Sequence, residues 1–150
     1  MYQVKSFDEI KVGDRVSLSK TITEADSAMY SAATGAFGPV HVDEGYAKKT
    51  RFGTRIASGL MIASTCTAIL TSHLVGIAPV SIEDTFWFTG PILFGDTVTI
   101  EVWVAEMNAE TRTIVWEASA TTQAGLEVVK ARATLKYPSR PVPSPYEDFE

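Results

Sequence analysis

The sequence predicts an α+β fold in which an antiparallel sheet curls around one long apolar helix. Two observations carry that prediction. Between Ile56 and Ser72 the chain has no charged residue, and a helix apolar on nearly every face has to be enclosed by protein. After Val80 the chain alternates apolar and polar positions between short turn signals. That pattern suits antiparallel strands joined by hairpins better than parallel crossovers. With 150 residues, the chain has the size of one domain with a real core.

Each element has its own local reason. Arg15 to Ile22, "RVSLSKTI", alternates Val16 and Leu18 with polar residues and reads as a strand. Thr23 followed three residues later by Asp26 reads as a capping box, opening a helix that runs to about Thr34 and stops at Gly35. The stretch "ATGAFGPVHVD", Ala33 to Asp43, then forms a Gly/Pro-rich loop carrying His41. Asp43 to Thr50 reads as a short helix. The long helix covers Arg55 to Val75, about twenty residues and therefore about 30 Å. Strands follow over Val80–Ile92, Gly95–Met107, Thr111–Gln123 and Leu126–Tyr137, with turns at Asn108-Ala109-Glu110 and at Gly125. The domain thus spans residues 1–137. Residues 138–150 hold four of the seven prolines and an acidic end, and are expected to form an extended tail.

Composition excludes several classes. A net charge of −5 argues against a nucleic-acid partner, which asks for a dominant basic face. The single Cys66 excludes an intramolecular disulfide and a Cys-rich zinc site. It is expected to be a small buried residue. His41 and His73 lack matching acids and make no metal site; His73 reads as a cap at the carboxyl end of the long helix. The residues from Ile56 to Val75 come nearest to a membrane span, but their Ser and Thr content favours a buried helix. No apolar stretch opens the chain, so no signal peptide and a cytoplasmic location are expected.

Candidate functional residues cluster around His41. An imidazole serves as either acid or base near neutrality. Asp43 and Glu44 are the nearest carboxylates, and helix capping is the simpler reading of Asp43. Lys48, Lys49, Arg51 and Arg55 form a basic cluster in an acidic chain. It suits phosphate groups, though a solvated helix face explains it as well.

Four stretches resemble the MaoC-like dehydratases, the group that contains the (R)-specific enoyl-CoA hydratases. They are "FDEIKVGDRV", "MYSAATGAFGPVHVDEGYAKKTRFGTRIASGLM", "FWFTGPILFGDTVTIEV" and "VVKARATLKY", and they span Phe7 to Tyr137. The resemblance implies a hot-dog fold and a hydratase or dehydratase of an acyl-CoA or acyl-carrier thioester. It implies no cofactor beyond the coenzyme A of the substrate. It also implies a homodimer or larger homo-oligomer, and no membrane.

The family pattern is A-x-x-[ST]-G-D-x-N-P-[IL]-H-x-D followed by I-x-H-G-M. His41 matches its histidine, while Ala36 stands at the Asp, Gly38 at the Asn and Ser58 at the His before the helix glycine. The resemblance thus makes His41 the catalytic group, with the Gly59 backbone N–H as oxyanion donor and Ser58 as a further candidate. Ala36, Phe37, Gly38, Asp43 and Phe52 would border the substrate, and Lys48, Lys49, Arg51 and Arg55 would meet its phosphates. Phe86 and Trp87 could line an acyl pocket or simply pack in the core.

Two other readings stay open. A hot-dog thioesterase would want a carboxylate on or beside the central helix, and none lies between Glu44 and Glu83. A binding module would keep the pocket without turnover. A changed substrate is a further possibility, since the space vacated at Ala36 would hold a polar or carboxylated acyl group with less repulsion.

Overall fold

A computed structural model describes residues 4–140 and 142–143. After a 3-10 turn at Phe7–Glu9, the elements are β1 (Arg15–Thr21), α1 (Glu24–Thr34), α2 (Pro39–Val42), α3 (Glu44–Ala47), α4 (Gly59–Ile69), β2 (Val80–Phe88), β3 (Thr97–Asn108), β4 (Thr113–Thr122) and β5 (Glu127–Lys136). The strands form one five-stranded sheet in the order β1-β3-β4-β5-β2, every pair antiparallel. The predicted tail is described only at 138–140 and 142–143; the rest of it lies outside the described residues.

The two hairpins form where the turn residues place them. Asn108 Oδ1 accepts the Thr111 N–H at 2.9 Å, an Asx turn that starts the β3–β4 reversal. Gly125, at φ 80°, closes the β4–β5 turn in a region that L-residues with a Cβ avoid. Period-two alternation then aims Val98, Ile100, Val102 and Val104 of β3, and Ile114, Trp116, Ala118 and Ala120 of β4, into the core. They pack with Ile62, Cys66, Ile69 and Leu70. Burying each large apolar side chain in such a cluster is worth about 1.5–3 kcal/mol. Burial also pushes the Cys66 thiol up to about 12.

The long helix differs from expectation at both ends and on one face. Its first predicted residues are extended, because Ile56 bridges Leu93 and the Ala57 N–H donates to the Ile92 carbonyl at 2.8 Å. The helix therefore starts at Gly59. After Ile69 it continues as a π turn, Leu70–Leu74, closed by the Val75 N–H on the Leu70 carbonyl at 2.9 Å. The carbonyls at this end find distant donors: Lys5 Nζ reaches Leu74 at 2.9 Å and the Tyr137 hydroxyl reaches Val75 at 2.7 Å. Nor is the helix enclosed on every side. Leu60 is 53% exposed, and Ser64 and Ala68 continue that open stripe. The Ser64 hydroxyl donates back to the Leu60 carbonyl at 2.9 Å, which satisfies it without a partner helix. No helix among the described residues is long and apolar enough to cross a membrane.

The first helix is specified locally. Thr23 Oγ1 accepts from the Asp26 N–H at 3.1 Å, and Asp26 Oδ2 accepts from the Thr23 N–H at 2.9 Å. The Thr23 hydroxyl first, then Lys20 and the Thr23 N–H, lower the Asp26 carboxyl from 3.8 to about 2. A lowered carboxyl stabilises the fold fully above its ordinary value and loses that contribution as the pH falls through its folded value. Thr23→Ala should cost about 1 kcal/mol at pH 7 in urea titrations. Its deficit against the native chain should shrink as the pH falls from 3.8 towards 2.

Candidate active site

His41 sits on α2, a single helical turn where the sequence predicts a loop. Pro39 occupies its first turn, a position that costs no hydrogen bond and presets φ. The His41 Nδ1 lies 2.8 Å from the Ile56 carbonyl oxygen. A carbonyl only accepts, so Nδ1 carries a proton, and in the neutral ring the lone pair is on Nε2. The extended segment before α4 thus fixes the tautomer as well as the ring. Its own position is set by the Ile56 N–H donating to the Val40 carbonyl at 3.2 Å.

A cavity of about 660 Å³ opens beside the ring, bounded by His41, Arg51, Phe52, the run Ile56–Leu60 and Phe88–Ile92. The floor is the start of α4. Ser58 is its N-cap and makes no side-chain cap bond; the Met61 N–H turns to the Ser58 carbonyl at 3.1 Å, which leaves the Gly59 and Leu60 N–H groups without an intrahelical acceptor. A second cavity of about 390 Å³ touches His41 on another side and is bounded by Glu24, Ser27, Val42, Arg55 and Phe94, among others. Among the described residues, no carboxylate lines the first cavity.

Of the residues singled out from sequence, the structure brings His41, Ser58, Gly59, Phe52 and Arg51 together in one cavity. Gly38 belongs to the neighbourhood too, because a Cβ there would lie 3.4 Å from His41 Cδ2 and 3.9 Å from Nε2. Ala36 is held just before α2, its carbonyl accepting from the Ser31 hydroxyl at 3.0 Å. Phe37 is 60% exposed and outside the cavity. Asp43 caps α3, Oδ1 accepting from the Tyr46 N–H at 3.0 Å.

The basic cluster divides. Lys48 and Lys49 are exposed on the far end of α3. Arg51 lies at the cavity wall with its guanidinium 4.8 Å from the Phe52 ring centre. Arg55 is committed elsewhere: its guanidinium pairs with Glu24 at 2.7 Å and Glu44 at 3.3 Å, and it stacks 5.3 Å over Phe94. The Arg55 backbone N–H, and after it the guanidinium and the Thr54 hydroxyl, hold the Glu44 carboxyl below its ordinary range.

The aromatic assignment shifts by one strand position. Phe86 packs against the core and Trp87 is 48% exposed, whereas Phe88 forms the cavity wall. Phe86 and Phe88 share a face by strand alternation, so the sequence contained the signal. What it did not show is that the inner face runs off the core at Phe88.

A family model described as "MaoC like domain" matches residues 9–125. The (R)-specific enoyl-CoA hydratase of Rhodospirillum rubrum is 35% identical over 134 residues, covering 89% of this chain and 92% of the relative. The 3-hydroxybutyryl-CoA dehydratase of Methylorubrum extorquens is 36% identical over 139 residues, covering 92% of this chain and 87% of the relative. Among solved structures, an unliganded R-hydratase from Pseudomonas aeruginosa superposes with a TM-score of 0.81 at 29% identity, covering 89% of this chain and 86% of the other.

Arg55 ties α1 to α3 around the second cavity, so Arg55→Gln should lower the melting temperature at pH 7. Glu44 is a carboxyl with a lowered value, so that loss should narrow as the pH falls below its ordinary 4.5. A difference in melting temperature that stays constant down to pH 3 would contradict the assignment.

Proposed function

The chain belongs to the MaoC-like domain family, and we propose that it is a hydratase/dehydratase of acyl-CoA thioesters with a hot-dog fold. It adds water to a 2-enoyl thioester or removes it from the 3-hydroxyacyl form. One observation carries the reading: a histidine with a fixed tautomer and an open Nε2 shares a cavity with the uncapped start of an apolar helix.

The chemistry asks for three services, and this chain offers them with few groups. His41 Nε2 takes a proton from water as its oxygen attacks Cβ. The Gly59 N–H receives the negative charge that builds on the thioester oxygen, with the helix dipole behind it. The protonated imidazole then returns its proton to Cα, so one histidine acts as base and acid in turn. Elimination runs the same steps backwards. Apart from coenzyme A in the substrate, the scheme asks for no further group.

Ala36 and Gly38 stand where the resembled pattern carries an acid and an amide, so His41 works without a side-chain partner at Nε2. The acyl-thioester ligand is supported by the apolar walls of Phe52, Ile56, Leu60 and Phe88, and Arg51 is placed to meet an anionic part of it. The absence of a carboxylate from the cavity wall weighs against a thioesterase. Binding without turnover is the second reading, favoured by the two small residues at 36 and 38. The buried, single Cys66 asks for no oxidising compartment, in keeping with a cytoplasmic site of action.

We also propose that the active species is a homodimer. The edge strand β2 exposes Val80 at 62%, Ile82 at 60% and Trp87 at 48%, and α4 has an open stripe of its own at Leu60, Ser64 and Ala68. An unpaired apolar edge is a template for a second copy.

Hydration of a short trans-2-enoyl-CoA should proceed with the native chain and fall about 10² to 10⁴-fold in His41→Ala. Ala36→Asp should raise it. If the native chain binds the thioester without turnover and His41→Ala only weakens that binding, the enzyme reading gives way to the binding module. Sedimentation should give twice the chain mass for the native protein and the single-chain mass for Ile82→Lys. A monomer with full activity would sink the dimer proposal.

A further inference from the structure

Gly59 has the tightest surroundings among the glycines of the described residues. A Cβ built on it would lie 2.5 Å from Phe88 Cδ1, 2.9 Å from Cε1 and 3.3 Å from Cγ. Real side chains do not approach so closely, and three neighbouring ring atoms mean that one side of the ring lies directly against the helix start. Phe88 arrives there from the end of β2, where its Cα is paired with Val129. The ring is nonetheless 52% exposed, so the face turned from Gly59 looks into the cavity. The contact therefore joins two elements far apart in sequence at the point where the cavity meets the helix terminus.

We propose that Phe88 is the specificity-determining wall of the acyl site, and that residue 59 is a glycine to let that ring lie flush against the helix. The inference rests on the reading of the cavity as an acyl-thioester site. The Gly59 N–H fixes the thioester oxygen, so the acyl chain starts at this terminus. The Phe88 ring occupies space immediately beside that start. Acyl groups unbranched beside the thioester pass it; a methyl branch at Cα meets the ring. The structure thus assigns the chain to 2-enoyl thioesters unbranched at Cα.

The test compares trans-2-butenoyl-CoA and its 2-methyl-branched counterpart as substrates of the native chain, Phe88→Ala, Phe88→Leu, Gly59→Ala and Gly59→Ala/Phe88→Ala. The native chain should favour the unbranched thioester. Phe88→Ala should raise the branched-to-unbranched ratio of kcat/KM about tenfold or more, the range that one misfitting methylene commands in an apolar pocket. Phe88→Leu should move it the same way by less. Gly59→Ala should depress turnover of both, and removing the ring in the double variant should recover part of it, because the methyl then has room.

An unchanged ratio in both Phe88→Ala and Phe88→Leu overturns the inference. So does a double variant no better than Gly59→Ala. A native chain that turns over neither thioester refutes the hydratase reading on which the inference rests. A native chain active on both, with the ratio unmoved by either Phe88 variant, leaves that reading standing.

Discussion

The site depends on four residues that are not part of any helix. Arg55 to Ser58 run extended before α4, and each polar bond they make reaches a different part of the molecule. The Ile56 N–H meets Val40 beside His41, the Ile56 carbonyl takes the His41 ring, and the Ala57 N–H meets Ile92 across from β2. Arg55 holds α1 and α3 through Glu24 and Glu44. Fixed at one end by the buried helix, this segment sets the histidine, the helix terminus and the far cavity wall in one frame. A bond to a backbone carbonyl is also insensitive to most substitutions along the segment, since any residue but one that distorts the chain supplies it.

The parts of this arrangement that were legible in the sequence are those decided within a few residues. The Thr23–Asp26 box, the Gly35 stop, the Asn108 turn and the alternation of Val98 to Val104 formed where local chemistry placed them. The extended segment was not legible, because Arg55 to Ser58 lead straight into an apolar run, and the single glycine at 59 is compatible with a helix that continues through it. Only pairing with Leu93 and Ile92, more than thirty positions away, pulls them out of the helix. Arg55 was misleading for a similar reason. Its neighbours in sequence are cations, while its partners Glu24 and Glu44 are 31 and 11 positions away. His41 and the start of α4 were placed by family likeness rather than by any pattern of periodicity.

The central helix shows how an apolar element can carry polar atoms without leaving them unsatisfied. Ser64, Thr65 and Thr71 turn their hydroxyls onto carbonyls one turn back, so each is satisfied within the helix. The same device lets one stripe of the helix face outward in the single chain without exposing a charge. At the other end, the π turn leaves carbonyls that Lys5 and Tyr137 reach from opposite termini of the domain. The helix is thus held at both ends by segments remote in sequence, which suits an element whose first residue has to keep its place against a reacting group.

The burial of Cys66 has a consequence for chemical self-protection. A 2-enoyl thioester is an electrophile at the same Cβ that water attacks, and a thiolate adds to such a carbon more readily than water does. Cys66 lies on α4, the helix whose start would receive that substrate, yet its sulfur is wholly buried and its ionisation is pushed to about 12. At neutral pH almost none of it is thiolate, and the thiolate is the form that reacts. The fold therefore keeps its one thiol out of reach of the compound it handles.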